Sequence, residues 1–407
     1  MRSSTFRADH LRRAGLLALA VGATVGLSAC AGGAGTGSAA PASDAPSAGD
    51  DATRVALSYP GGVVVLDGQS LETLGDFTSE EFTRLNSAGD GRHIMVTTSE
   101  GFQVLDAGAP GIEPQLTDLV FAAAKPGHVV THGGTTVLYA DGTSDSTIFD
   151  TDALLASTDE LPAVETIPGV EAHHGVSIVL EDGTFLTTVG NADGRNGVVA
   201  LDESGATIAQ SSDCPGVHGE GTAKDEVVVF GCEDGALVYD AGTFTKLTAP
   251  DQPYGRMGNA YVSDDSALVV GDYKDDRDAE GYLLHRVALI DTAAKTQRVI
   301  DLPEGVEYTF RDIARGPGDL GYLLATDGSI HVLDPASGEL TASYPVIGAW
   351  EGPTEWQDAH PAIKVSGDIA YVTEPAKNAV HAVDLTTGEV VKSVTLEQTP
   401  NEIALTR

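Results

Sequence analysis

Basic residues, cysteines and helical periodicity are all scarce in this chain of 407 residues. Only 23 Lys and Arg residues stand against 60 Asp and Glu residues, which gives a formal net charge of −37 at pH 7. A surface this acidic repels nucleic acids and anionic lipid headgroups, so we expect no nucleic-acid partner. It would attract cations or a basic protein, although simple solubility explains the charge equally well.

Common catalytic signatures are missing as well. The sequence has no G-x-S-x-G nucleophile motif, no H-E-x-x-H zinc motif and no glycine-rich phosphate loop followed by lysine. Enzymes can also assemble their sites from scattered loops. The missing motifs therefore lower the expectation of catalysis without excluding it.

The N-terminus has the features of an export signal. Four arginines precede an apolar run at residues 14–27, as in a secretory signal peptide. Residues 27–30, Leu-Ser-Ala-Cys, resemble the lipobox of bacterial lipoproteins, which implies removal of residues 1–29 and lipidation of Cys30. An ordinary signal peptide or an uncleaved anchor is the alternative. Because no later apolar run is long enough to span a bilayer, we expect an extracytoplasmic protein held at the cell membrane by this lipid alone.

Residues 30–53 predict a flexible tether. After Cys30 they consist almost wholly of Gly, Ala, Ser, Pro, Thr and Asp. Such a segment buries too little apolar surface to offset the entropy lost on ordering. The tether would connect the lipidated Cys30 to one folded domain over residues 54–407.

Eight similar segments predict the fold of this domain. Each is a short β-rich run that ends in aspartate and is followed by a turn. They are residues 63–67, 101–106, 136–141, 198–202, 235–240, 287–291, 330–334 and 380–384. One such strand in each four-stranded unit is typical of a β-propeller. The sequence therefore predicts an all-β propeller with eight blades; seven is the alternative, because the third unit is irregular at residues 150–164.

The two ends of the domain complete one blade. Residues 54–59 have the pattern of a second strand with no first strand before it, and residues 401–407 that of a first strand with nothing after it. Pairing these segments closes the ring and removes the free edges of an open sheet. Two β-sandwiches would explain neither this match nor the repeated aspartate.

Two cysteines remain if Cys30 is lipidated. Cys214 and Cys232 would lie in an oxidising compartment, where a disulfide is the expected state. A thiolate metal site is the alternative.

Three histidines indicate a metal site. His174, His218 and His360 each lie eight residues before an acidic residue of the following turn, in blades four, five and eight. Because the first strand of each blade lines the central channel, we expect the three imidazoles to meet at one mouth of the channel. Such a donor set suits zinc. A single channel histidine is more often a solvated polar residue, and the prediction depends on the three lying in register.

The identity of the other ligands stays open. His173 would point to the opposite side of its strand from His174, and either residue could be the ligand. Glu220 and Asp358 could supply a carboxylate ligand or orient an imidazole. His128 and His132 are assigned to a second strand and are given no metal role.

Four motifs together resemble the AztD-type zinc metallochaperones. They are His-His-Gly at 173–175, Cys-Pro-Gly-Val-His-Gly-Glu at 214–220, Phe-Gly-Cys-Glu-Asp-Gly at 230–235 and Trp-Gln-Asp-Ala-His-Pro at 356–361. The resemblance covers about residues 54–407. It implies an extracytoplasmic protein that holds zinc and passes it to the substrate-binding protein of a zinc ABC importer. Some members carry a histidine-rich N-terminal segment, whereas residues 31–53 contain no histidine.

The leading hypothesis is a monomeric zinc chaperone that is not an enzyme. A metal-dependent propeller lyase or lactonase is the second hypothesis. It would need an acid or base beside the metal, for which Arg311 and Glu220 are the candidates. A metal-free scaffold for protein interactions is the third.

Overall fold

Eight antiparallel sheets form the part of the chain that this computed structural model describes, residues 53–406. The sheets are the blades of a ring, so the prediction of an eight-bladed β-propeller is confirmed. The predicted signal peptide, Cys30 and all but the last residue of the tether lie outside the described residues. Within residues 53–406, no helix is both long and apolar enough to cross a membrane.

Each blade runs outward from a first strand at the channel to a fourth strand at the rim. Blade one consists of β33 (Ile403–Leu405), β1 (Arg54–Tyr59), β2 (Gly62–Asp67) and β3 (Thr73–Thr78), and blade two of β4 (Leu85–Ser87), β5 (His93–Thr98), β6 (Gly101–Asp106) and β7 (Gln115–Ala122). Blade three consists of β8 (Pro126–His132), β9 (Thr135–Ala140), β10 (Asp145–Asp150) and β11 (Glu165–Ile167). Blade four consists of β12 (Ser177–Val179), β13 (Phe185–Asn191), β14 (Gly194–Leu201) and β15 (Thr207–Ser211).

The other four blades follow the same order. Blade five consists of β16 (His218–Ala223), β17 (Val227–Cys232), β18 (Asp234–Asp240) and β19 (Thr243–Thr248), with β20 (Gly255–Arg256) beside β18. Blade six consists of β21 (Ala260–Tyr261), β22 (Leu268–Tyr273), β23 (Arg286–Asp291) and β24 (Thr296–Asp301), and blade seven of β25 (Ile313–Arg315), β26 (Gly321–Leu324), β27 (Ser329–Leu333) and β28 (Leu340–Pro345). Blade eight consists of β29 (Ile363–Ser366), β30 (Ile369–Glu374), β31 (Ala379–Asp384) and β32 (Glu389–Thr395). Short 3₁₀ helices occupy Thr151–Ala156, Lys224–Glu226, Pro317–Asp319 and Pro375–Lys377.

Seven of the eight aspartate-terminated segments are the third strands of their blades. The segment at residues 136–141 is instead β9, the second strand of blade three, so it is not equivalent to the other seven. Successive side chains of a strand point to opposite faces of its sheet. In β2, Val64 and Leu66 pack in a core cluster with blade eight, whereas Val63 and Val65 pack with blade two. Because both faces are buried between neighbouring blades, these strands are continuously apolar instead of alternating.

In most blades the final aspartate fastens the turn that follows its strand. Asp67 Oδ1 accepts the backbone N–H groups of Gln69 and Ser70 at 3.1 and 2.8 Å. Equivalent bonds form in blades two, four, six, seven and eight. Aspartate favours turns because its short side chain reaches backbone donors two residues ahead. In blade three the third strand β10 ends in Asp150, whose Oδ1 likewise accepts the N–H of Asp152 at 3.0 Å. The repeat is thus structural in these blades.

The two ends of the described region close the ring. Strand β33 pairs antiparallel with β1, with Val55 opposite Leu405 and Leu57 opposite Ile403. Only closure removes the free edges of a sheet. The predicted pairing of the terminal segments is confirmed.

Cys214 and Cys232 form a disulfide, as predicted for an exported protein. Both residues are fully buried. The bond joins the loop before β16 to the end of β17, so it fixes the segment that leads to His218.

Replacing both cysteines with serine should lower the free energy of unfolding by about 2–5 kcal/mol. The cross-link restricts the unfolded chain, and its removal also places two hydroxyls in an apolar core. Urea unfolding of the purified mature protein measures the change. A double variant as stable as the wild type would contradict the prediction.

Candidate metal centre

Three histidines from consecutive blades meet at the channel. His128 lies in β8 of blade three, His174 just before β12 of blade four, and His218 at the start of β16 of blade five. Their ring centroids are 5.0–5.4 Å apart, and one nitrogen of each lies within 4.8 Å of the other two. Nitrogens around one tetrahedral zinc ion are about 3.3 Å apart. Small side-chain rotations would therefore bring all three onto a single ion.

Irregular backbone aims two of these side chains. The pairing of β8 shifts register around His128, and the pairing of β16 shifts just after His218. Gly219 has a φ of +59°, and a Cβ atom there would lie 2.4 Å from the carbonyl oxygen of Gly258. Only glycine fits this position. Such β-bulges redirect side chains and are common beside functional sites.

Hydrogen bonds at Nδ1 orient two of the rings. His174 Nδ1 donates to Asp141 Oδ2 at 2.6 Å, and His218 Nδ1 donates to the Gly258 carbonyl oxygen at 2.7 Å. With the proton on Nδ1, the Nε2 lone pair of each ring is available to a metal. Asp141 follows β9, the second strand of blade three. Its carboxylate orients a candidate ligand, whereas Asp150, which ends the third strand of that blade, fastens its own turn.

Burial favours the neutral form of two imidazoles. Burial lowers the pKa of His218 to about 3, and the Arg256 guanidinium adds a smaller effect in the same direction. Burial, followed by the charges of His218 and His174, also holds the pKa of His128 well below its ordinary value. Metals bind the neutral imidazole. These two candidate ligands are therefore unprotonated, and able to bind a metal, at neutral and mildly acidic pH.

His128 was not predicted from the sequence because residues 128–132 were assigned to a second strand. That assignment is wrong: β8 is the first strand of blade three and lines the channel. The turn at Gly133 and Gly134 follows His128 by five residues, so the eight-residue spacing could not find it. The available signal was the Gly127-His128 pair, which has the reverse order of the His-Gly pairs at the other two clustered histidines.

His173 lies apart from the three-histidine cluster. Its Nε2 is 3.0 Å from the Tyr139 hydroxyl and 3.1 Å from the Thr188 hydroxyl. Its Nδ1 is 2.9 Å from the Ser144 hydroxyl. Both ring nitrogens thus bond to side chains of blades three and four, and of the two neighbouring histidines it is His174 that joins the cluster.

His360 does not join the cluster either. Blade eight lies across an eight-membered ring from blade four, so an equal height on the strand does not bring the side chains together. The His360 Nδ1 donates to the Asp358 carbonyl oxygen at 2.7 Å, and within residues 53–406 its buried Nε2 has no hydrogen-bond partner. Burial and then the Arg311 charge lower its pKa to about 4. The exposed Asp358 carboxylate accepts the Glu355 N–H at 2.9 Å.

Glu220 faces the inside of the channel. It lines a cavity of about 280 Å³ that His128 also borders, but it is not one of the clustered metal-ligand candidates. Burial raises the pKa of Glu220 to about 7. The folded protein therefore holds a proton on this carboxyl between about pH 4.5 and 7, whereas the unfolded chain does not. Stability contributed by the protonated group is lost as the pH rises through that window.

Glu220→Gln should remove this pH dependence. Relative to the wild type, the variant should gain on the order of 1–3 kcal/mol in unfolding free energy between pH 5 and pH 8. Urea unfolding of the metal-free protein at both values measures the difference. Glu389→Gln on the rim strand β32 is the control and should show no such gain. An equal difference between Glu220→Gln and wild type at both pH values would refute the account.

A larger cavity of about 460 Å³ opens beside the three histidines. Phe310, Trp356, Tyr282 and Leu284 supply its aromatic and aliphatic surface. Trp356 lies on the long connection before β29 and packs edge-on against Phe82, with ring centroids 5.6 Å apart. The connection between blades seven and eight thus forms part of the wall beside the site.

No protein-family model matches the chain. The zinc chaperone AztD of Citrobacter koseri is 25% identical over 300 residues, which are 71% of this chain and 68% of that protein. This chain resembles the zinc chaperone AztD. The resemblance predicted from the four sequence motifs is therefore confirmed.

Solved structures show the same architecture. The structure of apo AztD from Citrobacter koseri has a TM-score of 0.71 at 22% identity, over 87% of this chain and 96% of AztD. The dihydro-heme d1 dehydrogenase NirN in complex with DHE has a TM-score of 0.57 at 14% identity, over 87% of this chain and 75% of NirN. At these identities the likeness concerns the fold alone.

Proposed function

We propose that this protein is an extracytoplasmic zinc chaperone whose cargo is held by His128, His174 and His218. The observation that carries the proposal is their geometry, with one nitrogen of each within 4.8 Å of the others. Three imidazoles with one open position suit zinc. The similarity to AztD, which is described as a zinc chaperone, supports the same cargo.

The site has the properties of a carrier. The His174 side chain is 37% exposed, so the ion can be reached from solvent. Structural zinc sites have four protein ligands and no open position, whereas a three-ligand site can accept an incoming ligand. An acceptor protein can therefore begin to bind the ion before the donor releases it.

The enzyme hypothesis has less support. Its proposed acid–base residue Arg311 donates to Glu402 at 2.6 Å and to Asn401 at 2.7 Å. These charged and polar contacts hold the guanidinium in the channel wall. Glu220, the other candidate, does not belong to the cluster of possible metal ligands, which consists of His128, His174 and His218.

In this proposal the acceptor is the substrate-binding protein of a zinc ABC importer, as the resemblance to AztD-type chaperones implies. Lipidation of Cys30 would hold the carrier, as a monomer, at the membrane in which the importer lies. The formal charge of −37 would favour docking of a basic surface. Handover would take place within the docked complex, because a freely released ion would reach other ligands as readily as the acceptor.

Transfer kinetics test this function. The mature protein is loaded with one equivalent of zinc and mixed with the metal-free binding protein, with a chelator present to capture any free ion. We expect transfer faster than spontaneous dissociation, with a rate that rises with acceptor concentration. A transfer rate equal to spontaneous dissociation at every acceptor concentration would contradict docking, and a protein that binds no zinc would contradict the function itself.

A further inference from the structure

Positive side chains surround the three histidines although the whole protein is strongly acidic. Arg84, Arg256 and Lys274 line the 460 Å³ cavity beside them. Arg195 lies behind the site, where its Nη1 donates to the His174 carbonyl oxygen at 3.1 Å. A zinc ion on three neutral imidazoles would add two positive charges to this environment.

Few carboxylates offset these charges. Within residues 53–406, the lining of the cavity includes one carboxylate, that of Asp272. Asp272 is buried, and it accepts the backbone N–H groups of Gly258 and Asn259 and the Asn259 side-chain amide. Asp141 is engaged by His174. Glu402 lies 3.7 Å from Arg84 Nε, but it also accepts a bond from Arg311 at 2.6 Å. These carboxylates are thus already engaged, and the loaded site would carry an excess of positive charge.

We propose that this cavity binds a small dicarboxylate, one end of which takes the fourth coordination position of the zinc ion. The inference rests on the proposed function, because the ion is that of the three-histidine site. A carboxylate oxygen is a normal zinc ligand. Arg256 Nη1 donates to the Gly216 carbonyl oxygen at 3.2 Å, and the remaining N–H groups of its planar guanidinium match the second carboxylate. Lys274, whose Nζ donates to the Ala279 carbonyl oxygen at 3.1 Å, adds a point charge. The carbon chain would lie against Phe310 and Trp356.

The dimensions and the lining fit this class of ligand. Small-molecule sites commonly have volumes of about 300–1,000 Å³ and combine apolar walls with a few polar groups. Arg256 and Lys274 come from adjacent segments whose backbones bond to each other in both directions, so the two cations form one side of the cavity. An ion held with its anion would be nearly neutral in charge, and its release would require the acceptor to displace both.

Succinate is the probe, and uncharged succinamide is the matched control ligand. Succinate should tighten zinc binding to the mature protein about tenfold, because ligands that favour each other do so reciprocally. Weak chelation of zinc by free succinate acts in the opposite direction and cannot imitate this result. In the cobalt(II)-loaded protein succinate should change the visible absorption bands, which report a change of ligand. Equal effects of succinate and succinamide on both readouts, or no effect of either, would overturn the proposal.

Two cavity variants locate the effect. Arg256→Gln and Lys274→Gln should abolish the response to succinate. Without succinate, Arg256→Gln should bind zinc more tightly than the wild type, because one positive charge near the ion is removed. Lys392→Gln on the rim strand β32 is the charge-matched control and should respond like the wild type. Retention of the full succinate response in both cavity variants would overturn the assignment.

The outcomes separate this inference from the proposed function. If the protein binds no zinc in buffer without succinate or with it, the proposed function fails. If zinc binds but succinate changes neither its affinity nor the cobalt spectrum, only the dicarboxylate site fails. A cobalt spectrum that responds to the acceptor protein but not to succinate would assign the fourth ligand to the acceptor and likewise overturn this inference.

Discussion

Replacing His128 or His218 with alanine should weaken zinc binding on the order of a thousandfold. Loss of a residue that only orients a ligand typically costs about 10–100-fold in metal affinity, and loss of a ligand should cost more. With two imidazoles left, the ion would have to take solvent ligands in place of a protein nitrogen. Competition with a chelator of known affinity at constant pH measures the effect.

Other histidines provide the controls for this experiment. His360→Ala should change zinc affinity less than threefold, because His360 lies across the ring from the cluster. His381→Ala in β31, where the ring contacts Ser393 and Glu374, should also leave it unchanged. A loss in His360→Ala equal to that in His218→Ala, with His128→Ala unaffected, would restore the ligand set expected from the sequence. Thermal unfolding of each variant separates loss of binding from loss of fold.

Asp141→Asn should weaken zinc binding by about 10–100-fold. The Asp141 carboxylate accepts a hydrogen bond from His174, with Nδ1 and Oδ2 2.6 Å apart, and raises the basicity of the ring. An amide in its place would be a weaker acceptor and would not offset the charge of the imidazole–zinc unit. Zinc affinity is measured by the same chelator competition.

The propeller repeat provides a matched control for Asp141. Asp202 follows β14, the third strand of blade four, and accepts the N–H of Ser204 at 2.8 Å in its own turn. Asp202→Asn should leave zinc affinity unchanged and lower the melting temperature slightly. Equal zinc affinities of the Asp141→Asn and Asp202→Asn proteins would show that Asp141 is merely another turn residue.

Most of the fold could be predicted from the sequence because the fold is repetitive. Third strands are buried on both faces, so each appears as a continuous apolar run, and the aspartate at its end marks the turn. The unpaired segments at the two ends specified closure, since β1 could pair only with a strand from the other end. Eight similar segments therefore predicted the number of blades, although the segment at residues 136–141 is the second strand of its blade and not the third. The two terminal segments predicted the way in which the ring closes.

The site was harder to predict because it depends on distances across the ring. Turn spacing gives the height of a residue along its strand, and it placed His174 and His218 at one level. It does not give the separation between blades, so His360 seemed equivalent although blade eight lies opposite blade four. The bulge at His128 shifts the register of β8. A spacing rule that assumes regular strands therefore does not detect this residue. The ligand roles assigned to the histidines remain predictions.

The central claim is that one zinc ion is coordinated by His128, His174 and His218. Crystals of the mature protein loaded with one equivalent of zinc, measured on both sides of the zinc absorption edge, test it most directly. We predict a single anomalous peak about 2.0–2.1 Å from one nitrogen of each of the three rings. A peak beside His173, or between His360 and Asp358, with the three-histidine cluster unoccupied, would contradict the claim.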